Sequence, residues 1–138
     1  MDTADKLAIY ELLSLTACAY DDHDIDTLAR CFTADASMII HIAGHDSVGP
    51  FNGHGAIIDL MKSSMASQTD TRRHVISNIY FASAEAETAK VVSNLTLFSV
   101  ANGTLRLVAT GIYRDTVTGA NGRWKISLRE LSLDLPYA

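Results

Sequence analysis

The sequence predicts an α+β fold in which a curved antiparallel or mixed sheet wraps over about three N-terminal helices. Three observations predict it. Helical periodicity is confined mainly to the first half of the chain, the second half reads as consecutive strand-like runs, and two of the joints between those runs carry hairpin chemistry. Helices followed by an antiparallel meander indicate segregated layers rather than a βαβ repeat. No internal repeat, linker or low-complexity stretch interrupts the pattern, so residues 1–138 read as one domain.

In "DTADKLAIYELLSLTACAY", Ile9, Leu12, Leu13, Thr16 and Tyr20 recur at helical spacing behind a cap at Asp2 or Thr3, which predicts a first helix of roughly five turns. Asp24 is placed to cap a second helix, because Ile25, Leu28, Ala29 and Phe32 repeat at i, i+3, i+4 and i+7. The two helices therefore meet at "YDDHD". "ASMIIHIA" alternates as a strand, "GHDSVGPFNGHG" has the glycine, proline and asparagine content of a loop or edge, and "AIIDLMKSSM" predicts a third helix with Ile57, Leu60, Met61 and Met65 on one side. Four strand-like runs follow: "RHVISNIYF", "AKVVSNLTLFSV", "LRLVATGIYRD" and "RWKISLRELSLDL". The connections "ANG" and "TGANG" are hairpin signals.

With 138 residues, 48% hydrophobic and 20% charged, the chain can bury one good core. A net charge of -5 and basic residues that form no run argue against a nucleic-acid partner. Asp2, Asp5 and Glu11 interrupt what a signal peptide would need, and no segment approaches the ~20 apolar residues of a membrane span, so the sequence reads as cytoplasmic. Cys18 and Cys31 lack metal or disulfide spacing and read as buried free thiols. His41 and His45 are i, i+4, but a strand would hold them roughly 13 Å apart, so no metal site is expected. No GxSxG elbow and no phosphate-binding glycine pattern appears, and no cofactor is implied.

A curved sheet over helices leaves an apolar cavity, a favoured place for a small hydrophobic ligand. On "RHVISNIYF" the two-residue period puts His74, Ile76, Asn78 and Tyr80 on one face. If one acid of "YDDHD" turns inward beside Tyr20, it can fix the tautomer of His74 and stabilise its cation. The same residues admit a plainer role: a core histidine satisfied by backbone, and acids that solvate a helix-helix turn. Val92, Phe98, Val108 and Ile112 are expected on the outer face of the sheet, an apolar patch that predicts a homo-oligomer, dimer or trimer.

The segments "AYDDHDIDTLARCFTADA", "GHGAI", "TRRHVISNIYF" and "TGIYRDTVTGANGRWKISLRELSLDL" resemble the SnoaL-like branch of the nuclear-transport-factor-2-like superfamily. That superfamily houses polyketide cyclases, scytalone dehydratase, bile-acid dehydratase, lindane dehydrochlorinase and the small subunits of ring-hydroxylating dioxygenases. The resemblance implies a cone-shaped sheet. A tyrosine directly before a catalytic aspartate, as in scytalone dehydratase, maps to Tyr20 and Asp21. The strand histidine of the dehydrochlorinase maps to His74, and its arginine five residues after a strand tryptophan maps to Arg129. Ser99, Ile40 and Thr16 stand where those relatives carry further catalytic side chains, so neither relative's substrate follows.

What the resemblance implies is a cofactor-free lyase or isomerase acting on a small hydrophobic cyclic or aromatic substrate. Its catalytic pair would be Asp21 and His74, with Tyr20 and Arg129 binding substrate; Asn78 joins the substrate-binding residues because the strand period puts it on the His74 face. The alternative it leaves open is a non-catalytic ligand-binding or dioxygenase small-subunit-like domain, since those subunits carry a similar strand and C-terminal ending.

Overall fold

The computed structural model of the chain describes residues 1–137. Three helices, α1 (Thr3–Asp21), α2 (Ile25–Arg30) and α3 (His54–Ala66), accompany six strands. These are β1 (Phe32–Ile42), β2 (Val48–Asn52), β3 (Thr71–Ala84), β4 (Thr88–Ala101), β5 (Thr104–Ala120) and β6 (Arg123–Leu133). They form one sheet in the order β2-β1-β6-β5-β4-β3; the β1–β6 pair is parallel and all other pairs are antiparallel. The long final meander brings β3 to one edge and leaves the early hairpin β1–β2 at the other.

Local chemistry explains the boundaries. Asp2 caps α1 by accepting from the Asp5 backbone N–H at 2.8 Å, and the Asp5 carboxylate answers at the Asp2 N–H in a reciprocal capping box. The other end is a Schellman turn. Asp24 N–H donates to Ala19 carbonyl at 2.8 Å and His23 N–H to Tyr20 carbonyl at 3.0 Å, while His23 takes a left-handed φ of 55°. Asp24 then caps α2, accepting from Thr27 N–H at 3.1 Å. One five-residue stretch thus ends one helix and starts the next.

Both hairpin turns form where Asn-Gly was read. Asn102-Gly103 and Asn121-Gly122 all have positive φ, the geometry a two-residue turn needs to match strand twist.

Three expectations need correction. Phe32 does not extend α2: it opens β1 and is fully buried beside Leu28, because its backbone pairs with Ile126 of β6. The glycine-rich stretch, expected as loop or edge, contributes the short edge strand β2. Val108 lies in the inner cluster with Leu95, Leu97 and Leu131, because a bulge between Leu97 and Phe98 adds a residue to β5 and shifts its alternation. Cys31 is buried as expected, but Cys18 is exposed.

The core lies between the helices and the concave face of the sheet. Ile9, Leu13, Leu28, Phe32 and Ile57 are almost completely buried; full burial of each such side chain contributes about 1.5–3 kcal/mol. Ser93, Leu95 and Leu97 of β4 face the same interior. Toward β3 the packing does not close, and a cavity of about 340 Å³ remains under α1 and α3.

Candidate functional site

The floor and walls of this cavity are mainly apolar: Met38, Ile40, Leu60, Ile76, Leu97 and Leu131 line it. Polar groups enter it from a few defined places. Tyr20 comes from the last turn of α1, His74 from the start of β3, and Tyr113 and Arg129 from β5 and β6.

Asp21 is the last residue of α1, directly before the Schellman turn. One oxygen accepts the backbone N–H of His74 at 2.8 Å, and the other lies 2.5 Å from His74 Nδ1. An ionised carboxylate only accepts, so Nδ1 carries the proton and donates. His74 Nε2 has no protein partner among the described residues, and the ring lines the cavity. Asp21 itself does not line the cavity; it stands behind the imidazole, with its side chain 7% exposed. Of the four clustered acids, the one beside Tyr20 is therefore turned inward. Asp22 and Asp24 are exposed, the latter as a helix cap.

Tyr20 packs edge-on against the His74 ring, with centroids 5.0 Å apart. Its hydroxyl accepts from Gln68 Nε2 at 3.0 Å, which leaves the phenolic proton available to another acceptor.

Arg129 is deeply buried and forks onto Asp115, with Nε 2.8 Å and one terminal nitrogen 3.0 Å from the two carboxylate oxygens. Burial opposes its charge, but Asp115 outweighs burial and keeps the guanidinium firmly protonated. The guanidinium carbon lies 4.1 Å from the centre of the Tyr113 ring. Burial drives the Tyr113 hydroxyl well above the ordinary phenol range, with Arg129 offsetting only part of that rise, so Tyr113 stays a neutral donor.

Asn78 is the expected site residue that the structure does not bring to the cavity. A bulge between Ser77 and Tyr80 reverses the alternation of β3, and Asn78 sits at that bulge with φ 54°, exposed. Ile79 and Phe81 consequently turn toward the core and Tyr80 outward. Tyr113, Gln68 and Tyr137 line the cavity without having been picked out from the sequence. Tyr113 sits in a run whose alternation could have placed it beside Arg129, whereas Gln68 and Tyr137 lie outside any periodic element.

Among the described residues no group of three or more His, Cys, Asp or Glu side chains is arranged to hold a metal ion. His41 instead contacts Ser47 through Nδ1 at 2.9 Å. Among the described residues no helix is long and apolar enough to cross a membrane.

The profile of the SnoaL-like domain matches residues 1–130. The chain belongs to the SnoaL-like family. The match runs from α1 into β6 and so includes every residue of the pair and its surroundings, Arg129 among them. No curated protein matches the sequence. Solved structures share its fold, the NTF2-like arrangement of three helices and a six-stranded mixed sheet. A Novosphingobium aromaticivorans protein assigned as an aromatic ring hydroxylase is 25% identical, with 100% of this chain and 94% of that one covered at a TM-score of 0.81. A chain from the same organism, assigned as the beta subunit of an aromatic-ring-hydroxylating dioxygenase, is 17% identical over 92% of this chain and 87% of that one, TM-score 0.80. A Catenulispora acidiphila protein solved in complex with S-DNPA is 20% identical over 96% and 95%, TM-score 0.79. As a SnoaL-like domain, the chain has a fold of the kind that encloses small ligands.

Proposed function

We propose that the protein is a cofactor-free lyase or isomerase that removes a proton from a small hydrophobic cyclic or aromatic substrate held in the cavity. The observation that carries this reading is the two-point grip of Asp21 on His74, through the backbone N–H and through Nδ1, which leaves Nε2 as the free nitrogen of a ring that lines the cavity. A neutral imidazole is a competent base near pH 7, and the carboxylate offsets the charge it gains.

In the proposed step, the C–H proton next to a carbonyl passes to His74 Nε2, and the bonding electrons move onto the carbonyl oxygen. The resulting enolate either takes the proton back from His74 at another carbon, attacks a second carbonyl in a ring closure, or expels a leaving group that departs with its bonding electrons. Tyr20, Tyr113 and Arg129 are the donors that could meet the oxyanion, and such donors count for most in a water-poor site. Arg129 keeps a terminal nitrogen clear of Asp115 for this purpose.

Proton abstraction can be tested before the natural substrate is known. An aromatic cyclic ketone such as 2-tetralone in deuterated buffer reports α-exchange by NMR. The protein should accelerate exchange, and His74→Gln should reduce the enzymatic part by roughly two to four orders of magnitude. Exchange no faster than in buffer, or equal in His74→Gln, rules against the base.

One finding favours a second reading, a non-catalytic ligand-binding or dioxygenase-subunit-like domain: the likeness to a chain assigned as a dioxygenase beta subunit. In that case Arg129 serves only to neutralise Asp115. The exchange test separates the two readings.

A further inference from the structure

A second, polar cavity of about 330 Å³ opens beside the apolar one, and Ser67, Gln68 and Arg72 line both. Its sheet wall is a cross-strand row. Arg72 of β3 pairs with Ser99 of β4, and Ser99 pairs with Arg106 of β5. Adjacent strands are ~4.8 Å apart, so the two arginine backbones stand roughly 10 Å apart with a serine between them. Two long, flexible side chains at that spacing can reach one group placed over Ser99.

The charges do not cancel. Asp70 takes Arg72 Nε at 3.1 Å and accepts from the Ser99 hydroxyl. That hydroxyl, more than Arg72, holds the Asp70 carboxyl below its usual range. Both Arg72 terminal nitrogens are left without a protein partner among the described residues, and Arg106 has neither an ion pair nor a side-chain hydrogen bond there. Two guanidinium groups less one carboxylate leave one positive charge at the junction. Gln68 adds a buried Oε1 with no partner at the same junction.

We infer that this row is an anion subsite, and that the substrate is a small aromatic or alicyclic acid whose apolar ring fills the cavity while its carboxylate sits between Arg72 and Arg106. The inference rests on the proposed reaction for the identity of the reacting end. Arg72 and His74 are i and i+2 on one face of β3, so the row and the base are about 7 Å apart along the strand. A carboxylate held at the row would then lie about one ring width from the carbon that yields its proton. A hydroxyl on the ring edge could donate to Gln68 Oε1.

Binding alone tests the subsite, independently of turnover. 2-Naphthylacetic acid and its neutral isostere 2-naphthylacetamide are titrated calorimetrically at fixed ionic strength. The acid should bind the unmodified protein at least about tenfold more tightly than the amide, since two charged donors discriminate by that order. Arg106→Gln should bring the ratio within about threefold, Arg106→Lys should keep part of it, and Lys125→Gln, a charge change on β6 outside the row, should leave it intact. An acid that binds no better than the amide, including the case in which neither binds at millimolar concentration, overturns the inference; so does a preference that survives Arg106→Gln. Failure here with deuterium exchange intact removes the acid subsite and leaves the base. Success here with no exchange leaves an acid-binding domain without the chemistry.

Discussion

His74 is placed by a side chain 53 positions earlier in the chain, and the grip is on its backbone as well as its ring. Replacing Asp21 by Asn keeps the shape but offers an amide that cannot stabilise an imidazolium and can favour the other tautomer. Exchange catalysis should fall in Asp21→Asn and stay near the starting rate in Asp22→Asn, whose side chain is exposed; equal rates in the two variants would count against the pairing. Arg129 needs a separate test, because its substitution also strands Asp115. Breaking such a buried pair costs about 3–5 kcal/mol, while replacing both partners by apolar residues is far less costly. Urea unfolding should therefore show Asp115→Asn strongly destabilised and Arg129→Met with Asp115→Leu much less so. Tyr20, Asp21, His74 and Arg129 stand out through segments that resemble the family, and the structure gathers Tyr20, His74 and Arg129 at one cavity with Asp21 behind the imidazole. Asn78 leaves the face that strict alternation predicts because β3 bulges there, and the sequence marks that bulge only with an asparagine, a residue that tolerates positive φ.

At the scale of elements, the turn between α1 and α2 is both a structural stop and an aiming device. His23 occupies the left-handed position that glycine fills in most such turns. His23→Gly should leave the melting temperature unchanged or higher, and His23→Val should cost about 1–2 kcal/mol, the usual penalty for a side chain forced left-handed. Loss of exchange activity in the valine variant beyond its loss of folded protein would show that the turn aims Asp21. Asp24 in this turn and Asp70 before β3 are both held below the usual carboxylate range, Asp24 mainly by the Thr27 hydroxyl and Asp70 mainly by Ser99. Their contribution is complete above the unfolded value near 3.9 and is lost as pH falls through the lower folded values. Melting temperature should therefore fall below about pH 4 as these carboxylates protonate, with Asp24→Asn and Asp70→Asn each flattening that acid limb. The helices and hairpins were legible because capping acids and Asn-Gly turns are local signals. The bulges were not, since pairing partners far along the chain decide them.

For the whole molecule, the face of the sheet turned away from the helices leaves apolar side chains uncovered. Phe98 pairs with Leu107 and Val100 with Leu105 on that face, and Leu105 and Leu107 are 69% and 52% exposed. An apolar patch of this kind marks an interface more often than a free surface. A second copy of the chain is the expected partner, because a self-complementary face closes a symmetric dimer. Light scattering at micromolar concentration should give a multiple of the 14.9 kDa chain mass, and Leu107→Glu should shift it toward the monomer. A monomer from the unmodified protein would refute the expectation. Val108 does not belong to this surface, for the bulge in β5 turns it inward.

The fold brings the end of α1 against the start of β3, and the proposed proton transfer depends on what that contact does to one imidazole. The tautomer of His74 is directly observable by long-range ¹⁵N–¹H correlation on protein labelled at histidine, with His74→Gln identifying the signals. With Nδ1 donating to Asp21, Nε2 should show the shift of an unprotonated nitrogen at pH 8, and Asp21→Asn should change the tautomer balance. A ring protonated at Nε2, or on both nitrogens at that pH, would contradict the assignment of His74 as the base.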